Sequence, residues 1–229
     1  AHEVGAHREY HTMTGKYKDV EISCVSTGMG APSYLIGVDE MSRIGVDTFI
    51  RVGTCGGIQK NQKLGDLVIS TGAVRFDGAS KDLVTIEFPA VADYEVVMAL
   101  IQAAEELKFT YQVGITASFD TFYTGQGRPA LHNYLPSFKK QVLEDMQIAN
   151  VQNFEMEVSS LFTFTNIFGK RGGAVCVIIA NRVTDEFEIK EEYEKRAGLV
   201  ASLAVTILAG WDEKKKKAGK KYLYPFLLR

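Results

Sequence analysis

Cysteine is scarce in this chain, with three among 229 residues. Cys24, Cys55 and Cys176 are odd in number and widely spaced, which excludes a disulfide framework and a zinc cluster and fits a reducing compartment. Charge of one sign is not in excess either. The formal net charge is -2, so no broad positive field draws the protein to nucleic-acid backbones or anionic membranes. No stretch approaches the ~20 apolar residues of a membrane helix, and the opening AHEVGAHREYH has no apolar signal-peptide core. The expectation is a soluble, cytoplasmic protein with no nucleic-acid and no membrane partner. His2, His7, His11 and His132 occupy no metal-ligand spacing and accompany no serine or cysteine nucleophile pattern.

What is present is apolar material, 46% of residues, enough for the core of one α/β domain. Val20 to Val25 reads as a strand ending in the glycine loop Ser26-Thr27-Gly28-Met29-Gly30, and Pro32 to Ile44 as a helix stopped by Gly45. Thr48 to Val52 is a strand entering a second glycine loop, Gly53 to Gly57. Leu67 to Val74, Gln112 to Ser118 and Ala174 to Ala180 are further strands. Val91 to Leu107, Phe138 to Met146, Met156 to Phe168 and Ile189 to Trp211 are helices. Apolar strands alternating with helices predict a mixed, largely parallel central sheet flanked by helices in a three-layer α/β/α arrangement, with ligands at the strand C-termini. The domain is expected over residues 1–211. Residues 212–229, with Lys214 to Lys217, Lys220 and Lys221, form a basic and aromatic C-terminal extension that is mobile or packs on the domain.

Four constellations could carry chemistry. Arg51 before Gly53 and Thr54 suits an anion site, because backbone N–H groups approach closely and the guanidinium forks onto oxygens. An arginine inside the apolar run Phe49 to Val52 is equally suited to a salt bridge within the sheet. Phe122, Gln126 and Arg128 could read a planar amide ring, with uracil's carbonyls and N–H met by the amide and guanidinium and one face by the aromatic, or could form a polar surface loop. Glu155 and Glu157 stand before an apolar helix, as ordinary dipole partners or, for Glu157, as an acceptor of vicinal hydroxyls. Asn181-Arg182 follows the most apolar strand, where Arg182 lines a ligand site or marks the return to solvent. Cys55 reads as a small loop side chain.

Together the stretches His7-Arg8-Glu9-Tyr10, Ser26 to Ser33, Phe49 to Thr54, Asp77 to Ser80, Glu87 to Asp93, Phe122 to Arg128 and Phe154 to Glu157 resemble the uridine phosphorylases of the nucleoside phosphorylase I family, from about His7 to about Ala209. The resemblance implies reversible phosphorolysis of uridine to uracil and ribose 1-phosphate, with phosphate as co-substrate and no cofactor. It makes Arg8, Arg51 and Thr54 phosphate ligands, Arg8 reaching a neighbouring subunit's site. Thr54, Met156 and Glu157 would bind ribose, and Phe122, Gln126, Arg128, Ile179, Ala180 and Arg182 the base. Arg51, Thr54, Glu157 and Arg128 would carry catalysis. Glu9, Met29 and Ser33 match positions that hold a monovalent cation, potassium, at a dimer interface. A homo-oligomer, a hexamer built from three dimers, is implied. Relatives of this kind begin with a further strand, a Gly-Asp-Pro type loop bearing an arginine of the phosphate site, and an early histidine; this chain has none of them, so residues ahead of Ala1 are expected to be omitted. The rival readings are a purine nucleoside phosphorylase of the same fold, a nucleosidase using water, and a catalytically silent nucleoside-binding homologue.

Overall fold

The computed structural model describes residues 1–228. The chain opens with an antiparallel three-stranded sheet, β1 (His2–His7), β2 (Tyr10–Tyr17) and β3 (Val20–Val25). Of these only β3 is expected from the apolar pattern, because β1 is exposed along its length and shows no apolar alternation. The two-residue connection Lys18-Asp19 has φ of 46° and 67°. Positive φ at both central positions matches the twist of a hairpin.

The remaining elements are α1 (Ala31–Arg43), β4 (Thr48–Gly57), β5 (Leu67–Arg75), α2 (Ala79–Leu83), β6 (Ala90–Val91), α3 (Tyr94–Leu107), β7 (Tyr111–Ser118), α4 (Val142–Ile148), β8 (Asn153–Glu155), α5 (Val158–Ile167), β9 (Arg171–Asn181), β10 (Glu186–Phe187) and α6 (Glu191–Ala218). The main sheet runs β10-β9-β4-β8-β7-β5-β6, and β5 also pairs with β9, so β9, β4, β8, β7 and β5 close a ring. The pairs β4/β9, β5/β7 and β7/β8 are parallel and the others antiparallel. This is the mixed sheet between helices that the alternation predicts.

Side-chain alternation on the strands divides the core. Leu67, Ile69, Val175 and Val177 meet Val96, Leu100, Val200, Ala204 and Leu208 of α3 and α6. Phe49 and Ala174 meet Tyr34 and Val38 of α1 and Leu161 and Phe162 of α5 on the other side. Each such side chain contributes ~1.5–3 kcal/mol on burial.

Several boundaries differ from the pattern reading. The glycines after Val52 are not a loop: β4 runs through Gly57, and Gly56 and Gly57 pair with Ala180 and Asn181 on one side and Phe154 and Asn153 on the other. α3 begins at Tyr94 because the Asp93 carboxylate accepts from the N–H groups of Glu95 and Val96, a cap worth ~1 kcal/mol. α5 begins at Val158, not Met156, since Asn153 to Glu155 is a strand. α4 is shifted to Val142 and preceded by a 3-10 turn over Ser137–Lys139. α6 continues past Trp211 through the lysine run to Ala218, closed by Gly219 at φ 63°. Lys215 explains the extension: its ammonium lies 2.5 Å from Glu95 and 3.1 Å from Asp212, while Glu95 also accepts from the Leu223 N–H at 3.0 Å. No helix among the described residues is long and apolar enough to cross a membrane.

Candidate active site

The middle of β4, the start of α5 and the loop before α1 surround a cavity of about 340 Å³. Thr27, Gly28, Arg51, Gly53, Thr54 and Glu157 line it, with Glu194 of α6 at its rim. Arg51 is 9% exposed, and an arginine so far from water must have partners. It has three. Its Nη2 donates to the Glu157 carboxylate, its Nε lies 3.1 Å from Glu157 Oε2 and 3.2 Å from Glu155 Oε2, and its Nη1 lies 3.1 Å from Cys176 Sγ. The guanidinium lies back along its own strand over Gly53, where a Cβ would collide with Nη1. Glycine at 53 is therefore a packing requirement of Arg51.

The two carboxylates have different surroundings. Glu157 Oε1 accepts from the Gly30 N–H at 2.6 Å. Burial pushes its carboxyl up, but the Arg51 charge and these hydrogen bonds bring it below the ordinary value. Glu155 accepts from the Ser118 hydroxyl and from the N–H groups of Glu157 and Val158 at 2.8 and 3.0 Å. Its complete burial pushes the carboxyl up, Arg51 offsets only part of this, and the charge of Glu157 adds to the rise.

A second set of groups gathers beyond the ends of β4 and β9. The Arg182 N–H donates to the Gly57 carbonyl at 2.9 Å, and its Nη1 to the Gln126 carbonyl at 3.1 Å. Arg128 stacks on Phe122, with its guanidinium carbon 4.5 Å from the ring centre. Its Nε is buried without a hydrogen-bond partner among the described residues. Burial, then the neighbouring Arg128 charge, pushes Arg182 down to about 10. Two guanidiniums side by side form a donor-rich patch suited to carbonyl oxygens or to a base carrying negative charge. Gln126 is 4% exposed on the tight turns between Tyr123 and Arg128. Ile179 and Ala180 are half-buried on β9, Ala180 opposite Gly56, and Met156 is half-buried between the two glutamates.

The remaining expected residues lie apart from this cavity or at its edge. Arg8 occupies the β1–β2 turn at φ 53°, exposed and outside the cavity lining. The Ser33 hydroxyl lies 2.8 Å from a Glu9 carboxylate oxygen and 2.6 Å from the Thr27 carbonyl, two acceptors for its one proton. The exposed Met29 lines the cavity. Glu9 and Ser33 supply hard oxygen donors of the kind an alkali cation takes. Cys176, Ser118 and Tyr34 belong to the site's surroundings without having been singled out. Only the closeness of Glu155 and Glu157 in sequence offered a signal for a shared partner; the strand ends at Glu155, and Glu157 is the N-cap residue of α5.

Known proteins resemble this chain over most of its length. The family model for the phosphorylase superfamily matches residues 1–209. The chain is 55% identical over 225 residues to a uridine phosphorylase of Thermococcus kodakarensis, covering 98% of this chain and 80% of that protein. It is 38% identical over 204 residues to the uridine phosphorylase of Escherichia coli, 88% and 80% of the two chains. A guanosine phosphorylase of Halorubrum lacusprofundi is 36% identical over 180 residues, 79% and 69% of the two chains.

Proposed function

This chain belongs to the phosphorylase superfamily, and from that premise we propose that it splits uridine with inorganic phosphate to give uracil and ribose 1-phosphate. The observation that carries the reading is one cavity bringing Arg51, Thr54 and Glu157 together, with Gln126, Arg128 and Arg182 clustered beyond the ends of the same strands. Relatives bearing the name uridine phosphorylase, at 38–55% identity, support it.

In this reading Arg51 and Thr54 bind phosphate, while Thr54, Met156 and Glu157 hold the ribose. Phosphate displaces the Glu157 carboxylate from Arg51 Nη2, and Glu157 turns its freed oxygen to the ribose hydroxyls. A phosphate oxygen then forms a bond to the anomeric carbon as the bond from that carbon to the uracil nitrogen breaks. The bonding pair leaves with uracil, passing through an oxocarbenium-like state. Gln126 and Arg128 stabilise the departing negative charge, with Arg182 behind them and Phe122, Ile179 and Ala180 around the ring. No protein nucleophile takes part; positioning and charge supply the acceleration. Phosphate is a substrate and no cofactor enters. A monovalent cation sits by Glu9, Met29 and Ser33, and Arg8 serves the site of a second copy within a hexamer built from three dimers in the cytoplasm.

The test follows uridine absorbance with and without phosphate, with inosine alongside. Phosphate-dependent loss of uridine with inosine untouched is the expected result. Loss without phosphate would make the protein a nucleosidase, preferential loss of inosine a purine enzyme, and binding without turnover a silent homologue.

A further inference from the structure

The two carboxylates beside Arg51 are not equivalent. Glu157 lies in the cavity wall and has one fixed partner besides Arg51, the Gly30 N–H. The Glu155 side chain is wholly shielded from solvent and does not line the cavity. Both its oxygens are held by the N–H groups of Glu157 and Val158 and by the hydroxyl of Ser118, whose Oγ in turn accepts from the Ser159 N–H at 2.9 Å. These donors belong to β7 and the first turn of α5, which also packs into the core through Leu161 and Phe162. A carboxylate held in this way has no free edge for a substrate and no freedom to follow one.

We infer that Glu155 is a positioning residue: the fixed negative charge, 3.2 Å from Arg51 Nε, that keeps the guanidinium in place while Glu157, which holds both Nε and Nη2, gives up its hold. The inference rests on the phosphate-binding reading of Arg51. Without Glu155, Arg51 has only Glu157 as a charged partner, and the two hooks intended for phosphate and ribose quench one another. The Cys176 thiol, a weak acceptor, cannot replace a carboxylate.

Glu155→Gln tests this with little change of shape, since the amide oxygen still accepts from the backbone N–H groups. Kinetics are measured separately against phosphate and uridine. The expected result is a KM for phosphate raised about tenfold, the equivalent of ~1.4 kcal/mol, with the KM for uridine within about twofold and the melting temperature little changed. Equal rises in both KM values together with a large fall in melting temperature would show a merely structural role and overturn the inference, as would unchanged kinetics. Ser118→Ala removes a single hydrogen bond from Glu155 and serves if the glutamine variant does not fold. A rise of about threefold in phosphate KM alone supports the inference, and no change overturns it. Arg51→Lys separates the two levels. If it leaves phosphate KM unaltered, the phosphate-binding reading fails; if it raises phosphate KM while Glu155→Gln does not, only the role of Glu155 fails.

Discussion

Gly53→Ala is a substitution whose effect depends almost wholly on one neighbouring side chain. A Cβ at position 53 would lie 2.9 Å from Arg51 Cζ and 3.0 Å from Nη2, and closer still to Nη1. The strand itself accepts alanine, because Gly53 is not among the glycines with positive φ. Arg51 must therefore give way, by ~1 Å to restore ordinary carbon contacts. Such a shift lengthens the ion pair of Nε with Glu155 from 3.2 Å and carries Nη1 from 3.1 Å out of hydrogen-bond reach of Cys176. Removing a partner from a buried ion pair costs ~3–5 kcal/mol, and a displaced rather than deleted guanidinium should lose about half of that. The melting temperature falls by ~3–10 °C, at ~2–4 °C per kcal/mol for a chain of this size, and kcat/KM for phosphate falls more than about tenfold. Gly56→Ala is the control on the same strand, where the nearest atom to a new Cβ is Arg182 Cγ at 3.8 Å. Scanning calorimetry and phosphate-dependent turnover of both variants decide the matter. If Gly53→Ala behaves like Gly56→Ala, the packing account of Arg51 is wrong.

Arg128→Ala should lower kcat/KM for uridine by ~10²–10³, the usual cost of one donor to a developing anion, while any residual turnover of inosine stays within about threefold; normal use of uridine by the variant would sink the base-reading role. Glu95→Gln probes the contact that holds the C-terminal segment. Burial pushes the Glu95 carboxyl up, but Lys215 and the Leu223 N–H bring it below 4.5. A folded value below the unfolded one means that the stabilisation is complete above about pH 4.5 and fades as pH falls through the depressed value. Urea melts should show the variant weaker by ~2 kcal/mol at pH 7 and nearly equal to the parent at pH 3; an equal gap at both pH values would refute the charge argument. Arg75 is buried and donates to the carbonyls of Ser80, Val84, Thr85 and Phe88. Arg75→Met should cost ~3 kcal/mol or more in denaturant unfolding by orphaning these acceptors, and a loss below ~1 kcal/mol would show that water replaces them.

The parts of the fold that were legible in the sequence are those buried on both faces. β9 reads as an apolar run because Ala174 packs against α5 and α1 while Val175 and Val177 pack against α3 and α6. β1 and β8 left no such trace, the first exposed along its length and the second only three residues long. The run Gly53 to Gly57 misled in an instructive way. Its glycines satisfy crowding inside a strand, by the Arg51 guanidinium over Gly53 and by Gln62 and Ile178 beside Gly57, and not the turn that the composition suggests. The lysine run reads as an extension that is mobile or packs on the domain, and the sequence leaves the two open because the partner that docks Lys215, Glu95, lies far from it along the chain.

The site shows the same limit in sharper form. From the sequence Arg51 could be an anion ligand or a salt bridge in the sheet, and the fold shows the salt bridge while leaving the group on a cavity wall: it is paired with Glu155 and Glu157 and it lines a cavity. What the pairing adds is a charge balance. One guanidinium stands against two carboxylates, with Glu194 a further acid at the rim, so this wall alone carries no positive excess to attract a phosphate dianion. Phosphate binding in the proposed reaction therefore requires cations from outside this cavity. Arg8 is the residue that motif resemblance could name and the fold of a single chain does not deliver, since it stands exposed on the β1–β2 turn. In the proposed oligomer, Arg8 of a second copy would supply such a cation.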